Sequence, residues 1–210
     1  METSLHGTLK RLYCGEHGVT ECRLGGYRVD ALVGETAVEI QAGSLAALRE
    51  KVPRLLQSGH RVLVVKPFPL VTVAVNLASG RRWRQVRCAL EVFEDLVHIP
   101  PWFPSPGLTI DLVFVEQMEL RRRRGKRRWI VEDRKLIRID RVARLQGAAD
   151  LWGLLPHEVR GPFTTRLLAQ IFSCPIWLAR MIAYTLSRSG AARRHGTENR
   201  YVRYVPIACA

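Results

Sequence analysis

Gly25-Gly26 and Gly34-Glu35 cut an apolar, β-branched stretch into three short runs, Val19–Leu24, Tyr27–Val33 and residues 36–41. Two-residue connections of this kind close tight hairpins, because glycine takes the positive φ that such turns demand. The three runs are therefore expected to form a meander. On either side the period changes to helical. Leu5, Leu9 and Leu12 recur at that spacing within residues 2–13, with Gly15 and Gly18 beyond. Downstream, Ser44 opens a second helical pattern that runs to Gln57, buries Leu45, Leu48, Val52, Leu55 and Leu56, and stops before Gly59. Pro53 inside that pattern is expected to kink or split it. Residues 61–66 (RVLVVK) then read as a strand buried on both faces and ended by Pro67. Helix, three strands, helix, strand is a compact α/β unit around a mixed sheet.

Further along, residues 71–77 and 84–87 read as strands around Ser79-Gly80, residues 88–99 as a helix, and the proline-rich residues 100–107 as a loop. Residues 108–120 and 129–140 form a hairpin pattern whose tip is almost pure positive charge. From Ala148 the pattern turns helical, over residues 149–155, 164–172 and 175–189, the second capped by Thr164 and the last stopped by Gly190. Two strand-like pieces follow, residues 191–194 and 200–205. Three helices and a terminal hairpin are the parts of a winged helix. The expected organisation is a domain over residues 1–146 and a winged helix-turn-helix over residues 147–210.

Charge narrows the partner. Lysine and arginine exceed aspartate and glutamate by 33 to 19, a formal net charge of +14, and most of the cations are arginine. Such a field favours polyanions, and arginine's planar fork suits phosphate oxygens and guanine edges. No apolar run is long enough to span a bilayer, and residues 1–10 lack the apolar core of a signal peptide. A cytoplasmic location is expected. The cysteines Cys14, Cys22, Cys88, Cys174 and Cys209 are scattered and form no C-x-x-C pair, which points to buried thiols rather than a zinc knuckle.

Asp30 lies near the start of one strand, and the next carries Glu39-Ile40-Gln41. Side chains alternate along a strand, so Glu39 and Gln41 share a face that Asp30 can also reach if the two strands pair. Two carboxylates there suit a divalent cation with oxygen ligands, magnesium above all, with manganese as substitute. An acid on one strand and E-x-K or E-x-Q on the next, within this order of elements, resembles the PD-(D/E)xK nuclease superfamily. The resemblance covers roughly residues 2–66 and looks closest to archaeal Holliday-junction resolvases, transposon end-cleaving nucleases and competence-associated nuclease-like proteins. It implies a restriction-endonuclease-like mixed sheet with flanking helices. It also implies that Asp30 and Glu39 bind metal, that Gln41 replaces the usual lysine, and that a homodimer acts with one centre per strand. The first helix in that family often adds an acid, here Glu2, with Glu16 and Glu21 as substitutes. Some relatives take the lysine from the neighbouring helix, which makes Lys51 a candidate beside its plain reading as a surface lysine. His6, one turn after Glu2, is read as a surface or packing residue within reach of a metal-bound water.

The basic tip comprises Arg121, Arg122, Arg123, Arg124, Lys126, Arg127 and Arg128. So many adjacent like charges repel one another unless an anion lies nearby, so phosphate contact is expected. On the last long helix Leu178, Met181, Ile182 and Leu186 fall at core spacing, which leaves Trp177, Arg180, Tyr184 and Arg188 outward for a DNA groove or for a partner protein. Arg193, Arg194 and Arg200 mark the wing, and His195 reads as an exposed loop residue. The leading expectation is a magnesium-dependent endonuclease on double-stranded or branched DNA. The alternatives are a non-catalytic DNA-binding or regulatory protein that keeps the fold, and an RNA-binding factor.

Overall fold

The computed structural model describes residues 2–125, 128–159 and 161–207. Helix α1 (Ser4–Cys14) leads into the antiparallel meander β1 (Val19–Leu24), β2 (Tyr27–Val33) and β3 (Thr36–Ile40), turned at the positive-φ glycines Gly25, Gly26 and Gly34. A 3-10 turn (Leu45–Leu48) and helix α2 (Lys51–Gln57) then cross to β4 (Arg61–Asn76), which pairs parallel to β3. The split in the second helical pattern falls at Arg49-Glu50 rather than at Pro53, which sits in the first turn of α2, where a missing N–H leaves no bond unmade.

Strand β4 does not end at Pro67. It runs through Pro67 and Pro69 to Asn76, because neither ring needs a donor on that side. β3 stops opposite Val65, and β5 (Arg82–Val86) begins pairing only at Val71, so the prolines face a gap in the ladder. The other side of β4 stays paired, parallel, to β6 (Leu108–Arg124), which turns into β7 (Arg128–Leu145). The sheet is mixed, in the order β1-β2-β3-β4-β6-β7, with β5 against the far half of β4.

The helix expected over residues 88–99 is instead a 3-10 turn (Ala89–Val92) and the single-turn α3 (Phe93–Leu96). Leu90, Phe93, Leu96 and Ile99 are all buried, and their spacing of three is the 3-10 period. Residues 148–154 likewise form a 3-10 segment. After it come β8 (Phe163–Thr164), α4 (Thr165–Ile171), α5 (Ile176–Arg188), β9 (Ala192–Glu198) and β10 (Tyr201–Pro206), the strands ordered β8-β10-β9. Phe163 stacks on Tyr204 at 5.4 Å and meets Trp152 edge-on at 6.0 Å.

Two apolar clusters flank the sheet. On one face Leu5, Leu9 and Cys14 of α1 pack on Ala31, Val38, Ile40, Val65, Val113 and Val115. The other face carries a larger cluster that joins α2, α3 and the C-terminal helices, so the segment after Gln146 shares the core of the sheet. Among the described residues no single helix is long and apolar enough to cross a membrane. Of the cysteines expected to be buried, Cys14 is the only buried one among the described residues. Cys22 and Cys174 are half-buried at the margin of the larger cluster, Cys88 is exposed at the N-cap of the 3-10 turn Ala89–Val92, and Cys209 lies outside the described residues.

Candidate functional site

The register of β2 and β3 places Asp30 opposite Glu39, one step beyond the last ladder pair, Ala31 and Val38. There the strands part, and the Asp30 carboxylate takes the place of a backbone acceptor: its Oδ2 accepts from the Ile40 N–H at 2.8 Å. Glu39 is 6% exposed. Lys51, the first residue of α2, reaches down to contact the Glu39 carboxylate and donates to the Arg28 carbonyl. Burial pushes the Glu39 carboxyl above its ordinary range, opposed by Lys51 and reinforced by the charge of Asp30. Gln41, expected on that strand, lies one residue past its end at Ile40 and donates through Nε2 to the Ser44 carbonyl at 2.9 Å. A side chain at Gly43 would crowd that amide, since its Cβ would stand 3.2 Å from the Gln41 Nε2.

Asp30 draws its other partner from the opposite layer. His6 Nε2 of α1 lies 3.2 Å from Asp30 Oδ2, and His6 Nδ1 lies 2.9 Å from Glu2 Oε1. Glu2 precedes the helix instead of riding on it, because Thr3 is the N-cap. It folds back to Lys10 at 2.8 Å, is largely exposed, and reaches Asp30 only through His6. Of the substitute acids, Glu16 is exposed in the turn after α1, and Glu21 is held by Lys10 and Arg28. His6 is thus a bridge between carboxylates rather than a surface residue. The hydrogen bond to Asp30 raises its pKa to about 9 against the pull of burial, with Glu2 adding to the rise. On the Asp30 side burial works upward, but His6 and the Ile40 N–H outweigh it, and the carboxyl is lowered.

A histidine raised in the folded state contributes stability that is complete below its unfolded pKa of about 6.5 and is lost as pH rises through 9. Urea unfolding in EDTA between pH 6 and pH 9.5 is therefore expected to show the wild type losing up to about 3 kcal/mol more than His6→Gln. Parallel curves for the two proteins would contradict this.

Among the described residues no group of three or more His, Cys, Asp and Glu side chains could hold an ion. Magnesium requires less. It keeps several waters and is held by one or two carboxylates together with substrate phosphate. Asp30 and Glu39 meet that condition in their chemistry, as two oxygen donors whose charges repel each other across an open ladder. His6 and Lys51 now supply the compensating positive charge.

The basic surfaces separate into two groups. On α5 Trp177, Arg180, Tyr184 and Arg188 are all exposed while Leu178, Ile182 and Leu186 are buried, and Arg193, Arg194, His195 and Arg200 are exposed on the terminal hairpin. At the other end the long β6–β7 hairpin carries Arg121, Arg122, Arg123, Arg124 and Arg128, whereas Lys126 and Arg127 lie outside the described residues. Two of these arginines are partly neutralised, Arg121 by Glu119 at 2.8 Å and Arg122 by Glu132 at 2.6 Å.

A family described as a domain of unknown function, DUF8091, has a model that matches residues 3–146. The chain belongs to this family. The DUF8091 region takes in α1, the whole seven-stranded sheet, both carboxylates, Lys51 and the arginine hairpin, and it ends before the C-terminal helices. No curated protein and no solved structure matches the chain. Within the DUF8091 region one cation beside the site went unread in the sequence. Lys66 is 4% exposed, donates to the Gly43 carbonyl at 2.6 Å and pairs with Asp95 at 3.1 Å, and burial lowers its pKa. A lysine closing a strand buried on both faces was its only signal.

Proposed function

We propose that this protein is a metal-dependent DNA endonuclease with a PD-(D/E)xK-like centre and a C-terminal winged helix. The observation that carries the reading is the seating of Lys51 on Glu39 beside Asp30, just past the last pair of the β2–β3 ladder. A lysine supplied by the following helix restores the cation that E-x-Q lacks, which is the substitution expected for a relative with a displaced lysine. Asp30 and Glu39 would hold magnesium, whose chemistry there is to polarise the scissile phosphate and to lower the pKa of a bound water. Lys51 supplies positive charge beside the reacting phosphate, and Gln41 offers an amide just past the end of β3. The exposed face of α5 and the terminal hairpin would grip the duplex through phosphates, and two copies would present one centre to each strand.

Supercoiled plasmid tests this reading. Open-circle product is expected with magnesium or manganese and not with EDTA, and is expected to vanish in Asp30→Asn and Glu39→Gln. An intact plasmid with the wild type, or undiminished nicking by both variants, would remove the enzymatic claim. Nicking should also weaken steeply as salt rises, because phosphate contacts release counterions. The second reading, a non-catalytic DNA-binding protein of the same fold, is favoured by the ion pairs that already occupy both carboxylates. It predicts duplex binding without cleavage and no manganese binding dependent on Asp30 and Glu39.

A further inference from the structure

Strand alternation sets Arg81 and Trp83 before β5 and on it, and Arg121 and Arg123 on β6, along one sheet face, and Trp129 of β7 pairs directly with Arg123. Together with Asn76 and Ser79 they line a cleft of about 720 Å³. Among the described residues no carboxylate lines it. The two indoles meet at 5.7 Å and 57°, Arg121 lies 5.6 Å from the Trp83 ring centre, and Arg123 lies 5.7 Å from that of Trp129. Trp129 is 39% exposed. An indole at the end of a long hairpin, away from both apolar clusters, is not there to fill the core. Arg81 and Arg123 have no ion-pair partner among the described residues, so the cleft keeps net positive charge.

From this juxtaposition we infer that the cleft binds an unpaired DNA strand, with a base stacked on the outer face of Trp129 and phosphates held by Arg81, Arg121 and Arg123. Aromatic faces beside a cationic groove are the means by which proteins hold single strands, since every base offers a π-face and every linkage a charge. A base does not enter between the indoles. That would need rings about 7 Å apart, twice the stacking rise of nucleic acid. Duplex DNA satisfies the arginines but not the indoles, because its bases are stacked on one another. Glu119, which holds Arg121, lines a second cleft with Arg134, Lys66, Gly43 and Ser44, and Ser44 anchors Gln41.

The inference shares with the nuclease reading only the premise that the ligand is DNA. Its test therefore uses EDTA and the Asp30→Asn background, in which nothing can be cut. Binding of a fluorescein-labelled oligothymidylate and of a duplex of equal length is measured by anisotropy at matched salt. Trp129→Ala is expected to weaken the single strand by roughly tenfold and the duplex by less than twofold, with Trp83→Ala acting in the same direction. An abasic oligomer should bind the parent as weakly as the thymidylate binds Trp129→Ala. Unchanged thymidylate binding in Trp129→Ala, or equal losses for single strand and duplex, would overturn the inference. Far-ultraviolet circular dichroism and the unfolding midpoint of each variant guard against loss of fold. Arg123→Ala provides a variant that leaves the indoles in place and should flatten the salt dependence. Failure of plasmid nicking would leave these outcomes untouched.

Discussion

Magnesium-dependent nicking is expected to fall about a hundredfold or more when Lys51 is replaced by methionine, the scale of losing one charged donor at a reacting centre. It is expected to recover in part when Gln41→Lys is added. The single change keeps an unbranched side chain of similar length at the start of α2 and deletes the ammonium. The added change returns a lysine to the second position after Glu39, one residue past the end of β3. Rescue would identify the missing quantity as a positive charge near the carboxylates rather than a contact of α2.

Structural damage predicts a different pattern. Without Lys51 the buried Glu39, already raised by burial, loses its cation and is driven further toward the neutral acid. Part of that cost is removed by Glu39→Gln in the same chain, since a neutral pair replaces a broken ionic one. The double variant should therefore regain thermal stability and remain inactive, whereas Lys51→Met with Gln41→Lys should regain nicking. Near wild-type nicking by Lys51→Met alone would take Lys51 out of the centre.

The parts of the fold that were legible are those in which one local rule acts alone. Gly25-Gly26 and Gly34 fix the meander because the turns need positive φ, and the registers of β1 with β2 and of β2 with β3 follow from the loop lengths. Pro67 misled because a proline's effect depends on what lies beside its nitrogen, and only the relative lengths of β3 and β5 leave that side of β4 empty. The spacing of three in Leu90, Phe93, Leu96 and Ile99 is present in the sequence, but over so short a stretch it also fits the commoner helical period.

The candidate site divides in the same way. Alternation relates Glu39 to the position two residues on, although β3 ends at Ile40 and Gln41 lies just past it, whereas Lys51 entered only through the resemblance, since the break before α2 has no plain signal in a pattern that reads as one helix over residues 44–57. The link from Asp30 to His6 depends on how α1 crosses the sheet, which no local spacing encodes. Trp83 and Trp129 are 46 positions apart and meet only because β4 pairs with both β5 and β6, and β6 with β7.

What holds α1 in that crossing leads to the second large effect: Arg144→Met is expected to destabilise the fold by about 3 kcal/mol, the low end of what breaking a buried ion pair costs. Asp111 is 1% exposed. The Arg144 fork, across the β6–β7 ladder, donates to both its oxygens, at 2.8 and 2.9 Å, and the Tyr13 hydroxyl of α1 adds a third bond at 3.2 Å. Burial and the Asp111 charge push the Tyr13 hydroxyl upward, so it stays a donor throughout the physiological range. Removing the arginine leaves a carboxylate inside the sheet with one neutral donor. The low end applies because the Arg144 side chain is itself 60% exposed and water can take part of its place. Adding Asp111→Leu should recover most of the loss, since an apolar pair of similar volume removes the charge that needs compensation. Urea unfolding of the single and double variants measures both steps, and a cost below 1 kcal/mol for the single change would show that Tyr13 and water suffice. The Tyr13 bond ties α1 to β6, so the double variant, which lacks its acceptor, should also loosen the contact of His6 with Asp30 and lower the His6 pKa from about 9 toward its unperturbed value.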